Sequence, residues 1–259
     1  MRSFSDCGRC FLMTVAVAFL AGATGHTADN QPPPGFTALF NGKNLNGWKL
    51  PPGDNGHWKV VNGVIDCDAR SESKQPDKSL WTAKSYGNFI LRVDWRMKTD
   101  EPGFKWRVPD LMPDGNPRKG SDGKEIKVEI EDVDSGIYLR GSPKSQVNIW
   151  MWPIGSGEVY GYRTDPKMSA EVRAGVTPST RADKKRGEWN TFEITMKNEM
   201  LWVRLNGEEV ISGAELPGIP STGPIALQHH GAWDAKAGKW KSPPSLVQFK
   251  NIFIKETGE

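Results

Sequence analysis

The chain has 259 residues, with 34 Lys or Arg against 31 Asp or Glu and a net charge of +3; so near a balance gives no ground for polyanion binding or an acidic tail. Hydrophobic residues make up 37% and charged residues 25%, with 28 Gly and 19 Pro, a turn-rich globular mixture able to bury a core rather than a disordered one. The 11 Trp are spread from Trp48 to Trp240, as core staples or as platforms for sugar rings.

Residues 1–28 read as a secretory signal peptide. Arg2 and Arg9 precede an apolar run from Phe11 to Ala21, and Ala21-Gly22-Ala23 and Thr27-Ala28 offer small-residue cleavage points. The run is shorter than the roughly 18–20 apolar residues a membrane helix needs, and no other segment approaches that length. No membrane span is therefore expected, and the product is expected to be secreted or periplasmic. Cys7 and Cys10 lie in the leader, so Cys67 alone remains and no internal disulfide can form. Residues 29–34, with Gln31-Pro32-Pro33-Pro34, are expected to be a short stiff linker, and 35–259 a single domain.

From residue 35 onward, apolar and polar residues alternate in segment after segment between turn residues, which indicates β structure. Between Phe89 and Lys98 the alternation is unbroken. Phe89, Leu91, Val93, Trp95 and Met97 share one parity and Arg92, Asp94, Arg96 and Lys98 the other, as in a strand with one buried and one wet face. Further strands are expected at 57–61, 63–67, 79–83, 125–131, 135–140, 146–152, 189–197, 200–205, 209–212, 224–230 and 246–255, with Asn206-Gly207 as a hairpin turn. The stretch 101–124, rich in Pro, Gly and charge, is expected to be a long loop at the rim. No long segment has helical period. So many short strands exceed what one open sheet holds, and the fold class expected is all-β: two packed antiparallel sheets in a jelly-roll or related sandwich. Trp95 and Trp202 are expected in its core.

Three of these strands place polar groups at alternate positions. Asp134, Gly136, Tyr138 and Arg140 oppose Ser135, Ile137 and Leu139; Gln146, Asn148, Trp150 and Trp152 oppose Val147, Ile149 and Met151. Ala226, Gln228 and His230 oppose Ile225 and Leu227, with His229 turned the other way. If the three strands are neighbours, one face presents an acid, an Arg, amides, a His and indoles. That set suits a polyol, because amides and guanidinium bond hydroxyls while indole faces stack on sugar rings. The same alternation also fits a plain solvated sheet face, and His229 reads as a structural histidine near the core or rim.

These segments carry a family resemblance. Gly35-Phe36-Thr37-Ala38-Leu39-Phe40-Asn41-Gly42 through Trp48, Asp134-Ser135-Gly136-Ile137-Tyr138-Leu139-Arg140, Gly187-Glu188-Trp189-Asn190, Leu205-Asn206-Gly207, Gly223-Pro224-Ile225-Ala226-Leu227-Gln228-His229-His230-Gly231 and Phe249-Lys250-Asn251-Ile252-Phe253 occur in order over 35–255. In them the chain resembles the 3-keto-disaccharide hydrolase family of secreted domains. The resemblance implies a concanavalin A-like sandwich, a carbohydrate ligand rather than nucleic acid, and hydrolysis or lyase-type cleavage of 3-keto-glycosides. Many members carry Glu-x-Gln in the strand after Ser-Gly-Ile, where this chain has Gln146-Val147-Asn148; Glu158 is the nearest substitute carboxylate.

A ketone at C3 of a sugar acidifies the C2 hydrogen, so cleavage can run by abstraction at C2, loss of the C1 substituent and addition of water. That chemistry needs a base that titrates near neutrality, an enolate stabiliser and a proton donor for the leaving oxygen. His230 is the expected base and Arg140 the expected stabiliser. Asp134 or Glu158 would orient the imidazole or act as acid, while Gln146, Asn148, Trp150, Gln228 and Tyr138 would bind substrate. A divalent metal is a candidate cofactor, held by His230, Asp134 and Glu158, though no ligand spacing requires one. Phosphate loops, nucleophile elbows and His-Glu-x-x-His are absent. The alternative reading is a non-catalytic carbohydrate-binding module of the cell envelope. No motif bears on oligomeric state.

Overall fold

The structure, a computed structural model, describes residues 29–258; the signal peptide expected at 1–28 lies outside the described residues. The strands of the first half are β1 (Thr37–Ala38), β2 (Trp48–Lys49), β3 (Trp58–Val61), β4 (Val64–Cys67), β5 (Leu80–Tyr86), β6 (Phe89–Met97), β7 (Phe104–Pro109) and β8 (Lys127–Asp132). There follow β9 (Ser135–Leu139), β10 (Ser142–Ile149) and two short helices, α1 (Tyr160–Arg163) and α2 (Ala170–Gly175). The chain closes with β11 (Asn190–Lys197), β12 (Met200–Leu205), β13 (Glu208–Glu215), β14 (Gly223–Leu227), β15 (Trp233–Asp234), β16 (Lys239–Trp240) and β17 (Val247–Glu256).

These strands build the all-β antiparallel sandwich that the alternation implies. One sheet of eight strands runs β13-β12-β11-β6-β17-β4-β3 with β1 on β17, and a second of five runs β10-β9-β14-β5-β2. Their apolar faces share one core. In β6, Phe89, Leu91, Val93, Trp95 and Met97 are all buried and the residues between them half-exposed, so the sequence parity becomes the two faces of the central strand. Ile137, Val147, Leu80 and Leu227 close the same cluster from the smaller sheet. Each large side chain withdrawn in this way contributes about 1.5–3 kcal/mol before chain entropy is counted. Asn206 and Gly207 both have positive φ, 54° and 91°, as a two-residue hairpin turn requires.

Four local features depart from the expectations. The segment 101–124 is not all loop: Phe104, Trp106 and Val108 alternate with Lys105 and Arg107 in β7, which pairs with β8 in a separate two-stranded ribbon. The strand expected at 146–152 ends at Ile149, because the Trp150 amide is taken by Ser156 Oγ at 3.2 Å and Gly155 closes a turn onto the Trp152 carbonyl at 2.9 Å. Trp202 is only half-buried. Leu201, Val203 and Leu205 take the core side of β12, which leaves the indole on the outer face over Gly213. Finally, Asn30, in the segment expected as linker, is pinned to the sandwich by reciprocal bonds with Asn251 (2.6 and 3.0 Å) and a bond to the Gly63 carbonyl.

Candidate functional site

The three polar strands are neighbours, in the order β10-β9-β14. Their register sets Gln146 opposite Tyr138 and Asn148 opposite Gly136, with Ala226 on the far side of Tyr138. Gln146 Nε2 donates to Gln228 Oε1 at 2.6 Å and to the Ser135 carbonyl at 3.0 Å. It reaches them by lying over Gly136, where a Cβ would come within 2.5 Å of Gln146 Nε2 and 2.7 Å of its Cγ. The Tyr138 hydroxyl lies near the Gln228 side chain without lining the cleft itself, and burial pushes that phenol up to about 12. Gln146, Asn148 and Gln228 are each under 10% exposed, and Asn148 Nδ2 has no hydrogen-bond partner. A buried amide donor left free in this way costs stability unless a ligand oxygen satisfies it.

His230 and Asp134 stand together beyond the strand ends, bracketed by residues 243–245. His230 Nδ1 lies 2.5 Å from the Pro243 carbonyl oxygen. A carbonyl can only accept, so Nδ1 carries the hydrogen and the neutral ring keeps its lone pair on Nε2. Ser245 Oγ accepts from the His230 amide and donates to the Asp134 carbonyl, which locks the two backbones in place. Asp134 Oδ2 is 3.9 Å from His230 Nδ1. Burial pushes the Asp134 carboxyl up to about 7, opposed by His230 and reinforced by Asp132, so a protonated fraction persists well above the ordinary carboxylate range.

These groups line a cleft of about 660 Å³, with Trp106, Trp150, Trp152, Tyr160 and Arg163 on its other walls. Asp132, fully buried, accepts from the Met151 amide (2.8 Å), Trp152 Nε1 (3.0 Å) and Trp106 Nε1 (3.3 Å), and so holds both indoles against the ribbon. Arg163 reaches the cleft from α1, where Gly161 permits the close approach: a Cβ there would lie 2.4 Å from the Lys144 carbonyl. Its guanidinium pairs with Glu158, which is completely buried, and burial pulls it down to about 10.

Of the residues expected from sequence, the cleft gathers His230, Asp134, Gln146, Asn148, Trp150 and Gln228. Arg140 is elsewhere. It is the first residue of the two-residue turn between β9 and β10, at φ 50°, so strand parity no longer governs its direction. Its guanidinium is spent on the Gly87 carbonyl (2.8 Å), the Asn198 carbonyl (2.6 Å), the Pro220 carbonyl (3.3 Å) and Asn88 Oδ1 (3.1 Å), a clamp on three loops rather than an enolate stabiliser. Trp150 is 3% exposed, with Trp152 stacked on it at 4.3 Å and its indole N–H on the Gly155 carbonyl; half-buried Trp106 and exposed Tyr160 offer more open aromatic surface. Glu158 faces Arg163, not the His230–Asp134 pair, and among the described residues no three His, Cys, Asp or Glu side chains converge as a metal-ligand set.

Arg163, Trp106 and Tyr160 escaped the sequence reading, since a single helical turn and a Pro-bounded ribbon lie outside the parity rule that found the rest. The alternation Phe104, Trp106, Val108 was the one available signal.

A family of sequences described as a 3-keto-alpha-glucoside-1,2-lyase-like domain matches residues 35–255. No curated protein matches the chain. Among solved structures, a candidate glycosyl hydrolase from Parabacteroides distasonis ATCC 8503 is similar at a TM-score of 0.55 and 21% identity, over 89% of this chain and 100% of that one. A second from the same organism has a TM-score of 0.50 and 20% identity, over 86% and 99%. At these identities the likeness is one of fold.

Proposed function

This chain belongs to the 3-keto-alpha-glucoside-1,2-lyase-like family, a carbohydrate-active group, and on that premise we propose that it cleaves 3-keto-glycosides by elimination and hydration. The observation that carries the reading is the His230–Asp134 pair on the rim of the cleft: an imidazole whose Nδ1 is held by the Pro243 carbonyl so that the Nε2 lone pair is free, with a carboxyl 3.9 Å from Nδ1 whose hold on its proton burial strengthens. His230 Nε2 takes the C2 hydrogen, and the electron pair left at C2 delocalises into the C3 ketone. Arg163 and the unpartnered Asn148 Nδ2 donate to the enolate oxygen, the part first expected of Arg140. Collapse of the enolate forms the C1–C2 double bond and breaks C1–O, with the proton for the departing oxygen supplied by Asp134. Water then adds to the enone to give the free ketosugar.

Gln146 and Gln228, already bonded to each other, present their remaining donors and acceptors to sugar hydroxyls. The test is isotopic: a 3-keto-glucoside deuterated at C2 should be cleaved severalfold more slowly and lose its label to solvent, whereas direct hydrolysis at C1 would retain the label. The amides at 146 and 148 favour a second reading, a binding module without turnover, which that experiment would reveal as binding with no product. We further propose that the protein is exported, secreted or periplasmic, with cleavage near residue 28; N-terminal sequencing of the mature chain tests it.

A further inference from the structure

The β15–β16 hairpin takes no part in the cleft and instead walls a separate hollow of about 500 Å³. Arg70 and the segment from Glu101 to Lys105 close the other sides, and no residue lines both cavities. Trp233 and Trp240 are register partners on the hairpin, with ring centroids 4.9 Å apart and planes at 63°. Arg70 lies over them, its Cζ 4.4 Å from the Trp233 ring centre and 5.6 Å from that of Trp240. A guanidinium held over indoles by cation–π attraction keeps N–H groups at its edge for another partner.

The walls are fixed by bonds within the fold. Glu101 Oε2 accepts from Arg70 Nη2 at 2.8 Å, and the Arg70 amide donates to Asp68 Oδ1 at 3.1 Å. Arg186 Nη2 donates to the Glu101 carbonyl at 2.6 Å, and the Gly103 amide to Glu131 Oε1 at 2.9 Å. At Gly103 a Cβ would come within 2.4 Å of the Asp132 carbonyl oxygen, so only glycine lets this segment pass so close. A ligand entering here would not have to order the site first.

The polar lining is one-sided. Arg70, Lys105 and Lys239 are cations, and the one carboxylate, Glu101, is already engaged by Arg70. Among the described residues neither lysine lies within ion-pair distance of a carboxylate, neither indole N–H has an acceptor, and Arg70 Nε is buried without one. Every side-chain polar group left free on these walls is therefore a donor, and the rest of the surface is Pro102, Phe104 and the two indoles. A bare inorganic anion would leave the aromatic surface uncovered, and a neutral sugar would leave the cations without a counter-charge. The complement is an oxyanion carried on a pyranose ring: its charge meets Arg70 and the lysines, its C–H face covers the aromatics, and its hydroxyl oxygens accept the remaining N–H bonds.

We propose that this hollow is a second, non-catalytic site that takes an acidic sugar, a uronate or a sugar sulfate, and anchors the protein on an acidic glycan. The proposal needs nothing from the cleavage reading.

The test follows the indole N–H resonances by NMR, assigned by single Trp→Phe changes, as glucuronate, glucose 6-sulfate, glucose, benzoate and inorganic sulfate are titrated into the protein. The expected result is saturable shifts at Trp233 and Trp240 with an acidic sugar, at least about tenfold tighter than with glucose, and weaker as salt is raised. Whichever of glucuronate and glucose 6-sulfate binds more tightly identifies the oxyanion. Arg70→Met and Lys239→Gln should each reduce the preference for the acidic sugar severalfold. Glucose, benzoate or free sulfate binding as tightly as both acidic sugars, shifts confined to Trp106 in the cleft, or a preference undiminished in Arg70→Met would overturn the site. If Arg70→Met does not fold, Lys239→Gln on the exposed hairpin reads the same preference, and an undiminished value there overturns it.

Discussion

Gln146 reaches across an entire strand to donate to Gln228 at 2.6 Å, and the strand it crosses offers no side chain at the crossing point, because the residue beneath is Gly136. That pair fixes both amides at the floor of the cleft, and it depends on the missing Cβ. Gly136→Ala should therefore force Gln146 off its partners or push β10 from β9, since the new carbon would also meet the Val147 carbonyl at 2.7 Å. Overpacking of this kind costs about 1–3 kcal/mol, readable as a lower melting temperature together with weakened sugar binding. A fully stable variant with wild-type affinity would contradict this account of the floor.

How much of this was legible in the sequence follows from where period-2 reasoning holds. It placed β6 and its buried parity, and it put Gln146, Asn148, Gln228 and Asp134 on one face, because those residues sit within or directly beside regular strands. It misplaced Arg140, since one residue at φ 50° ends the alternation, and a turn residue carries no parity. It overextended β10 into Trp150 because an apolar run does not disclose that Ser156 Oγ captures the next amide. The adjacency of β9, β10 and β14 is a long-range fact that no local pattern encodes, and Arg163 enters from a helix too short for periodicity to register.

Arg140 and Arg163 make opposite predictions. Arg140→Ala would strip hydrogen bonds from three carbonyls and Asn88 Oδ1, with a stability loss of about 3 kcal/mol or more and little change in turnover per folded molecule. Arg163→Met, paired with Glu158→Leu so that no buried charge is stranded, should leave a folded protein with sharply reduced cleavage. Chemical denaturation and initial rates on the two variants check both statements, and the reverse pattern would restore the site to Arg140.

Glu158 alone is a different case. Its carboxylate is fully buried against Arg163, so Glu158→Ala strands a guanidinium in an apolar setting, a change that costs about 3–5 kcal/mol. The double substitution just described should be more stable than this single one. A single variant at least as stable as the double would show that the ion pair is not what holds α1 against the cleft.

The Asp134 carboxyl makes a pH prediction. Its folded pKa is raised from 3.8 to about 7, first by burial, so between those values the folded state holds more proton than the unfolded state and stability falls as pH rises. Asp134→Asn removes that loss. Relative to wild type, the variant should melt progressively higher as pH is taken from 4 to 8, with the gap closing toward the acid end. A gap that does not change with pH would mean that Asp134 ionises freely and cannot serve as the acid.

The most direct test of the central claim is product formation from 3-keto-glucosides by residues 29–259, with and without chelator, beside the His230→Ala variant. The account predicts ketosugar release by the wild-type protein and a loss of at least about 100-fold in the variant, the scale of a positioned general base; chelator sensitivity reports whether a metal takes part. Undiminished cleavage by His230→Ala, in a protein that folds as wild type, would contradict the assignment of the base and with it the mechanism.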